Sequence, residues 1–135
     1  TALCLWLEPR AGGEPGFALR VAAGGHPLPY RLKQGAPAET VGRPGALLGA
    51  FEGAAWPEAA CALAPGEALV LFTDGVPDSR GAGERFGQDR LEALLATLGG
   101  AGADEVAGRI DEALLDFQDG PQRDDVAVLV LRATA

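Results

Sequence analysis

Two stretches of this chain place carboxylates where a strand ends or begins. In A-L-V-L-F-T-D-G-V (68–76) five apolar residues run into Thr73, Asp74 and Gly75, and in Q-R-D-D-V-A-V-L-V-L-R (122–132) Asp124 and Asp125 precede the apolar run. Alternate side chains of a strand share a face. Val70, Phe72 and Asp74 are therefore expected on one side of the first strand, and Asp124, Val126, Val128 and Val130 on one side of the second. If the strands are antiparallel neighbours, the end of one meets the start of the other, and Asp74 and Asp124 converge at one rim of the sheet. Two close carboxylates repel unless a proton or a cation lies between them. Carboxylate and water oxygens select hard ions such as Mg²⁺ or Mn²⁺. A plainer account makes T-D-G a turn and D-D-V a solvated strand entry, and spacing alone leans toward it.

Other chemistry finds less support. No G-x-x-x-x-G-K-[ST] loop is present, and Lys33, the sole lysine, lies away from any strand-to-helix turn. His26 is the only histidine, in the turn G-G-H-P, and reads as a hydrogen-bonding turn residue rather than a ligand or general acid. Nothing such as G-x-S-x-G marks Ser79 as a nucleophile. Cys4 and Cys61 form no C-x-x-C pair; they read as small packed hydrophobes in a reducing cytoplasm. Trp6 and Trp56, with no interleaved basic residues, read as core or partly exposed packing rather than base-stacking platforms.

The elements that must position the two acids follow from periodicity. Thr1–Leu7 and Phe17–Ala23 read as strands joined by a Pro/Gly-rich turn, followed by a strand over Leu28–Lys33. Residues 34–56 read as a long irregular connection with one short strand near Val41. Ala59–Ala64 and Ala68–Thr73 are expected strands around the turn A-P-G-E. The period then changes: Leu91, Leu94, Leu95 and Leu98 mark one helix face closed by Gly99-Gly100, and Val106, Ile110, Ala113, Leu114 and Phe117 mark a second. The last strand, Val126–Leu131, is apolar on both faces and is expected in the middle of a covered sheet. Strands first and paired helices afterwards define an α+β chain.

At 135 residues the chain is long enough for one core. Its net charge of −8 argues against nucleic acid or an anionic membrane surface as partner. No apolar run approaches the ~18 residues of a membrane helix. The chain starts at Thr1 and contains no methionine, so it is expected to be a segment of a longer protein.

Five ordered blocks resemble the C-terminal part of a bacterial PPM-type (protein phosphatase 2C-like) serine/threonine phosphatase of the SpoIIE/RsbU kind. They are A-A-G-G-H-P-L-P (22–29), L-L-G-A-F (47–51), L-A-P-G-E-A-L-V-L-F-T-D-G-V-P-D-S-R (63–80), E-R-F-G-Q-D-R-L (84–91) and R-D-D-V-A-V-L-V-L-R (123–132). The resemblance implies a partial domain over residues 1–135: a two-sheet antiparallel β-sandwich flanked by helices, an α-β-β-α sandwich lacking its N-terminal part. It also implies a dinuclear Mn²⁺/Mg²⁺ site, with Asp74 and Asp124 as metal ligands, Asp125 either supporting those ligands or purely structural, and no catalytic residue beyond the ligands. The implied reaction is hydrolysis of phosphoserine or phosphothreonine by metal-activated water, without a covalent enzyme intermediate. The implied partner is a cytoplasmic regulatory phosphoprotein of the anti-anti-sigma-factor type. The family's G-D-x-x-D-type acidic segment is not in this chain, and Pro77 stands where the family often has Thr. The chain is then either part of an active enzyme or a non-catalytic homologue, a pseudophosphatase or interaction module with the same fold.

Overall fold

A computed structural model describes residues 1–120 and 125–134. Two antiparallel sheets stack face to face. The first has the order β1-β2-β5, with β1 Ala2–Pro9, β2 Phe17–Gly24 and β5 Ala59–Leu63. The second has the order β4-β3-β6-β9, with β3 Tyr30–Leu32, β4 Glu39–Thr40, β6 Ala68–Phe72 and β9 Val128–Arg132. Helices α2 (Gly87–Ala96) and α3 (Ala103–Phe117) cover the outer face of the second sheet. The α+β, two-sheet expectation therefore holds, and among the described residues the helices lie on one side of the sandwich.

Alternation along β6 explains why this strand is central. Ala68, Val70 and Phe72 join the cluster formed with the helices, whose buried stripes are Leu91 and Leu95 on α2 and Val106, Ile110 and Leu114 on α3. Leu69 faces the other way, into a core shared with Leu19, Val21 and Leu63 of the first sheet. β6 thus separates two cores and is shielded on both sides. A polar tie crosses between the sheets, the Arg31 guanidinium donating to the Ala62 carbonyl at 2.9 Å, and within its own sheet the same group donates to Glu39 Oε2 at 2.6 Å.

Several expectations are corrected. The last strand is not in the middle of its sheet. Among the described residues β9 pairs only with β6 and forms an edge, and Leu129 is 55% exposed. An apolar run reports faces that can be covered and carries no information about neighbours along the hydrogen-bonding direction. Val128 and Val130 pack toward the helices and Leu131 toward the first sheet, but nothing covers Leu129 among the described residues. Cys4 is exposed rather than packed, whereas Trp6 keeps the partly exposed packing expected of it, on the open face of the first sheet with Arg20 5.9 Å from its ring centre. The short strand expected near Val41 is Glu39–Thr40; Val41 itself is buried, its N–H bonded to the Pro29 carbonyl. Three short elements were not foreseen: α1 (Gly75–Asp78) and the hairpin of β7 (Arg80–Gly81) with β8 (Glu84–Arg85).

The contrast between Leu69, fully buried, and Leu129 gives a direct test. Leu69→Ala should lower unfolding free energy in urea by about 2–5 kcal/mol, whereas Leu129→Ala should change it by no more than about 0.5 kcal/mol. Equal losses would contradict the layering described.

Candidate active site

The topology gathers four strand ends at one rim. β6 and β9 are antiparallel with Phe72 opposite Val128, so the end of β6 lies beside the start of β9. β3 begins there too, since Tyr30 opposes Val70, and β2 leads into β3 through the turn holding His26.

Beyond Phe72 the ladder is continued by a side chain. The Thr73 N–H donates to the Ala127 carbonyl at 3.0 Å. The Thr73 hydroxyl donates to the Asp125 carbonyl at 2.9 Å and accepts from the Ala127 N–H at 3.0 Å. With both roles used, this hydroxyl is a clamp rather than a nucleophile. The strand face expected to include Asp74 stops short of it: Asp74 has φ −58° and ψ −22°, a helical geometry that opens α1, and its side chain is exposed with no capping hydrogen bond. Asp74 is therefore delivered by a strand-to-helix corner, not by strand alternation.

Gly75 explains why glycine follows that aspartate. A Cβ at this position would collide with the Asp125 carbonyl oxygen. The residue after Asp74 and the residue after Asp124 are thus in backbone contact. Asp124 itself lies outside the described residues. Ser79 closes the corner from the other side: its buried hydroxyl donates to the Gly75 carbonyl at 2.7 Å and accepts from Gln118 at 3.3 Å. It is a structural tie between α1 and the end of α3.

The donors fit a hard cation in type, since Asp74 offers exposed carboxylate oxygens with no hydrogen-bond partner among the described residues. The described residues contain no group of three or more His, Cys, Asp or Glu able to hold an ion.

His26 does what its turn requires and more. Its Nδ1 lies 2.9 Å from the Pro27 carbonyl, as a turn residue should. Its ring also lines two cavities that flank the β6 end, of about 420 and 370 Å³, with Phe72 on the wall of both. The signal that could have raised it is topological: a turn joining β2 to β3 sits at the same rim as the end of any strand antiparallel to β3. The second cavity adjoins a hydrogen-bond network built on the buried Tyr30. The Tyr30 hydroxyl donates to Glu92 Oε1 at 2.6 Å, and the Gln88 amide donates to the Tyr30 oxygen at 2.7 Å and to Glu92 at 3.2 Å. The Tyr30 ring stacks on Phe72, 5.8 Å between centres. Burial first, and then the Glu92 carboxylate, push the Tyr30 phenol up to about 12.

The double-sheet architecture, with its rim at the T-D-G corner, is that of a PP2C-type phosphatase domain. It matches the SiaA PP2C domain of Pseudomonas aeruginosa with a TM-score of 0.71 and 26% identity, over 85% of this chain and 46% of that one. The phosphatase domain of the cell-fate determinant SpoIIE from Bacillus subtilis, presoaked with Mn, matches in fold with a TM-score of 0.71 and 15% identity, over 98% of this chain and 57% of that one. The RsbU and RsbW domains of Rv1364c from Mycobacterium tuberculosis match with a TM-score of 0.68 and 26% identity, over 87% of this chain and 33% of that one. The chain thus spans about half the length of the first of these relatives. No curated protein matches it. The sequence pattern described as Stage II sporulation protein E (SpoIIE) matches residues 14–134, and the chain belongs to that phosphatase family.

Two outcomes test this geometry. Gly75→Ala should destabilise the fold by about 1–3 kcal/mol, because the added methyl must displace backbone. Gly108→Ala, a helical position with open space around it, should stabilise by about 0.5–1 kcal/mol. Matching signs in thermal or urea melts would contradict the close approach at Gly75. Tyr30 is the only tyrosine, so absorbance at the phenolate band reports it alone. Its folded-state value exceeds the unfolded one, so the associated stability is full below pH ~10 and is lost as pH rises toward about 12. A folded-state midpoint at the free-phenol value of ~10 would contradict the burial of Tyr30 beside Glu92.

Proposed function

We propose that this chain supplies the C-terminal part of a Mn²⁺- or Mg²⁺-dependent serine/threonine phosphatase that hydrolyses a phosphoserine or phosphothreonine on a cytoplasmic regulatory protein of the anti-anti-sigma-factor kind. The observation that carries this reading is the contact of Gly75 with the Asp125 carbonyl. It brings the residues following Asp74 and Asp124 together at one rim, in a chain whose family match covers that whole region. The fold neighbour with RsbU and RsbW domains supports a regulatory phosphoprotein as substrate.

In this reading Asp74 and Asp124 are metal ligands and Asp125 is structural, its carbonyl held by the Thr73 hydroxyl. A divalent cation bound at the rim supplies charge neutralisation for phosphoryl oxygens and a water of lowered pKa. The chain's own contribution is positional. The Thr73 clamp and the Gly75 contact fix the corner carrying Asp74, and the Gln118 amide, donating to the Ser79 hydroxyl, ties α1 to the end of α3. Both nearby hydroxyls are committed to backbone, which agrees with a reaction without a covalent intermediate on Ser79 or Thr73.

The test uses the parent protein, including sequence upstream of Thr1, assayed with Mn²⁺ on a phosphoprotein. Asp74→Asn should lower kcat/KM by at least about a hundredfold, because changes one step removed from a metal already cost ~10–100-fold. Unchanged turnover in the variant removes Asp74 from the site. No turnover in the folded parent leaves the non-catalytic reading of the same fold.

A further inference from the structure

The cavity of about 370 Å³ at the rim is not used by the proposed hydrolysis, and its walls have a definite chemistry. Pro27, Pro44 and Pro77 have no N–H to donate, and the side chains of all three and of Leu28 and Phe72 are apolar, so most of the lining side chains offer a guest no hydrogen bond. Its polar groups are Thr40, Gln88 and His26, and no carboxylate lines it although the chain carries a net charge of −8. Such a space neither recruits a phosphate nor repels an acidic phosphoprotein. It favours an apolar guest with one or two polar atoms.

Position ties the cavity to the candidate site. Phe72 and Pro77 lie on its wall and bracket Asp74 within one short segment, two residues on one side and three on the other. An extended chain advances about 3.3–3.6 Å per residue, so the cavity lies within roughly 11 Å of Asp74 along the backbone. A substrate strand with its phosphoresidue at Asp74 therefore presents a residue within about three positions to this opening.

The walls are also held in place before any guest arrives. Phe72 is stacked on Tyr30, and Tyr30 is fixed by Glu92 and Gln88. Both recorded bonds of Gln88 use its NH₂ group. Its carbonyl oxygen accepts no hydrogen bond among the described residues and is available to a guest's backbone N–H. Preformed walls lower the ordering cost of binding.

We infer that this cavity is a specificity subsite: it takes a large apolar side chain lying within about three residues of the substrate's phosphoserine or phosphothreonine, with the Gln88 carbonyl accepting a backbone N–H of the same segment. The inference rests on the phosphatase reading, which supplies the phosphoresidue.

The experiment uses the parent protein with sequence upstream of Thr1 and a set of phosphopeptides. Each flanking position within three residues of the phosphoserine carries Leu, Phe or Ser in turn. Binding is measured by fluorescence anisotropy without added metal, and kcat/KM with Mn²⁺. One flanking position should prefer Leu or Phe over Ser by about tenfold to a hundredfold in both readouts. Thr40→Phe, which fills the cavity, should erase that preference when its kcat/KM is normalised to its own turnover of p-nitrophenyl phosphate. Equal binding and equal kcat/KM for all peptides overturns the subsite, and so does a preference that survives Thr40→Phe. Failure of the unaltered protein to turn over p-nitrophenyl phosphate with Mn²⁺ overturns the phosphatase reading instead, and the anisotropy ranking still decides whether the cavity selects apolar side chains.

Discussion

The rim depends on the pairing of β6 with β9. β6 is enclosed between two cores, so its register cannot slip by one residue without turning Leu69 and Val70 to the wrong sides. With Phe72 fixed opposite Val128, the chain entering β9 must pass close to the chain leaving β6. The space left between them is smaller than a methyl group, and Gly75 is the residue that fits. A loop feature, the T-D-G corner, thus inherits its precision from the most buried strand of the molecule. Rigid scaffolds commonly position functional loops in this way.

The rest of the rim follows from the same strand. β3 pairs with β6 on its other edge, which sets the start of β3, and through it the His26 turn, beside the corner. α2 enters through Gln88 and Glu92, whose separate bonds to the Tyr30 hydroxyl link the helix to β3. Arg90 lies over the Phe117 ring at 5.0 Å and so ties α2 to α3. Each contact joins two elements that are remote in sequence.

Legibility in the sequence tracked element length. The two helices were readable because Leu91, Leu95, Val106, Ile110 and Leu114 repeat over several turns, and all are buried. β2, β5 and β6 were readable because each is a run of five or more residues bounded by turn signals. α1 was not, because a four-residue helix has no period to detect, and Pro77 in its first turn looks like a breaker although that position tolerates proline. The two-residue strands β7 and β8 escaped for the same reason. The edge position of β9 was misread because side-chain pattern encodes faces and not neighbours. At the site, the strand-to-acid juncture of Asp74 was legible, but its helical backbone and the role of Gly75 emerged only from the contact with Asp125. His26 was read as a turn residue on local grounds, and its place beside Phe72 is a property of the topology.

The most direct test of a cation held jointly at this rim is paramagnetic broadening in the ¹⁵N-labelled parent protein as substoichiometric Mn²⁺ is added. The account predicts that the amide signals of Thr73 to Gly75 and of Asp125 to Ala127 broaden together, ahead of the rest of the chain. Broadening of one stretch with the other left sharp would show that the two segments do not share an ion.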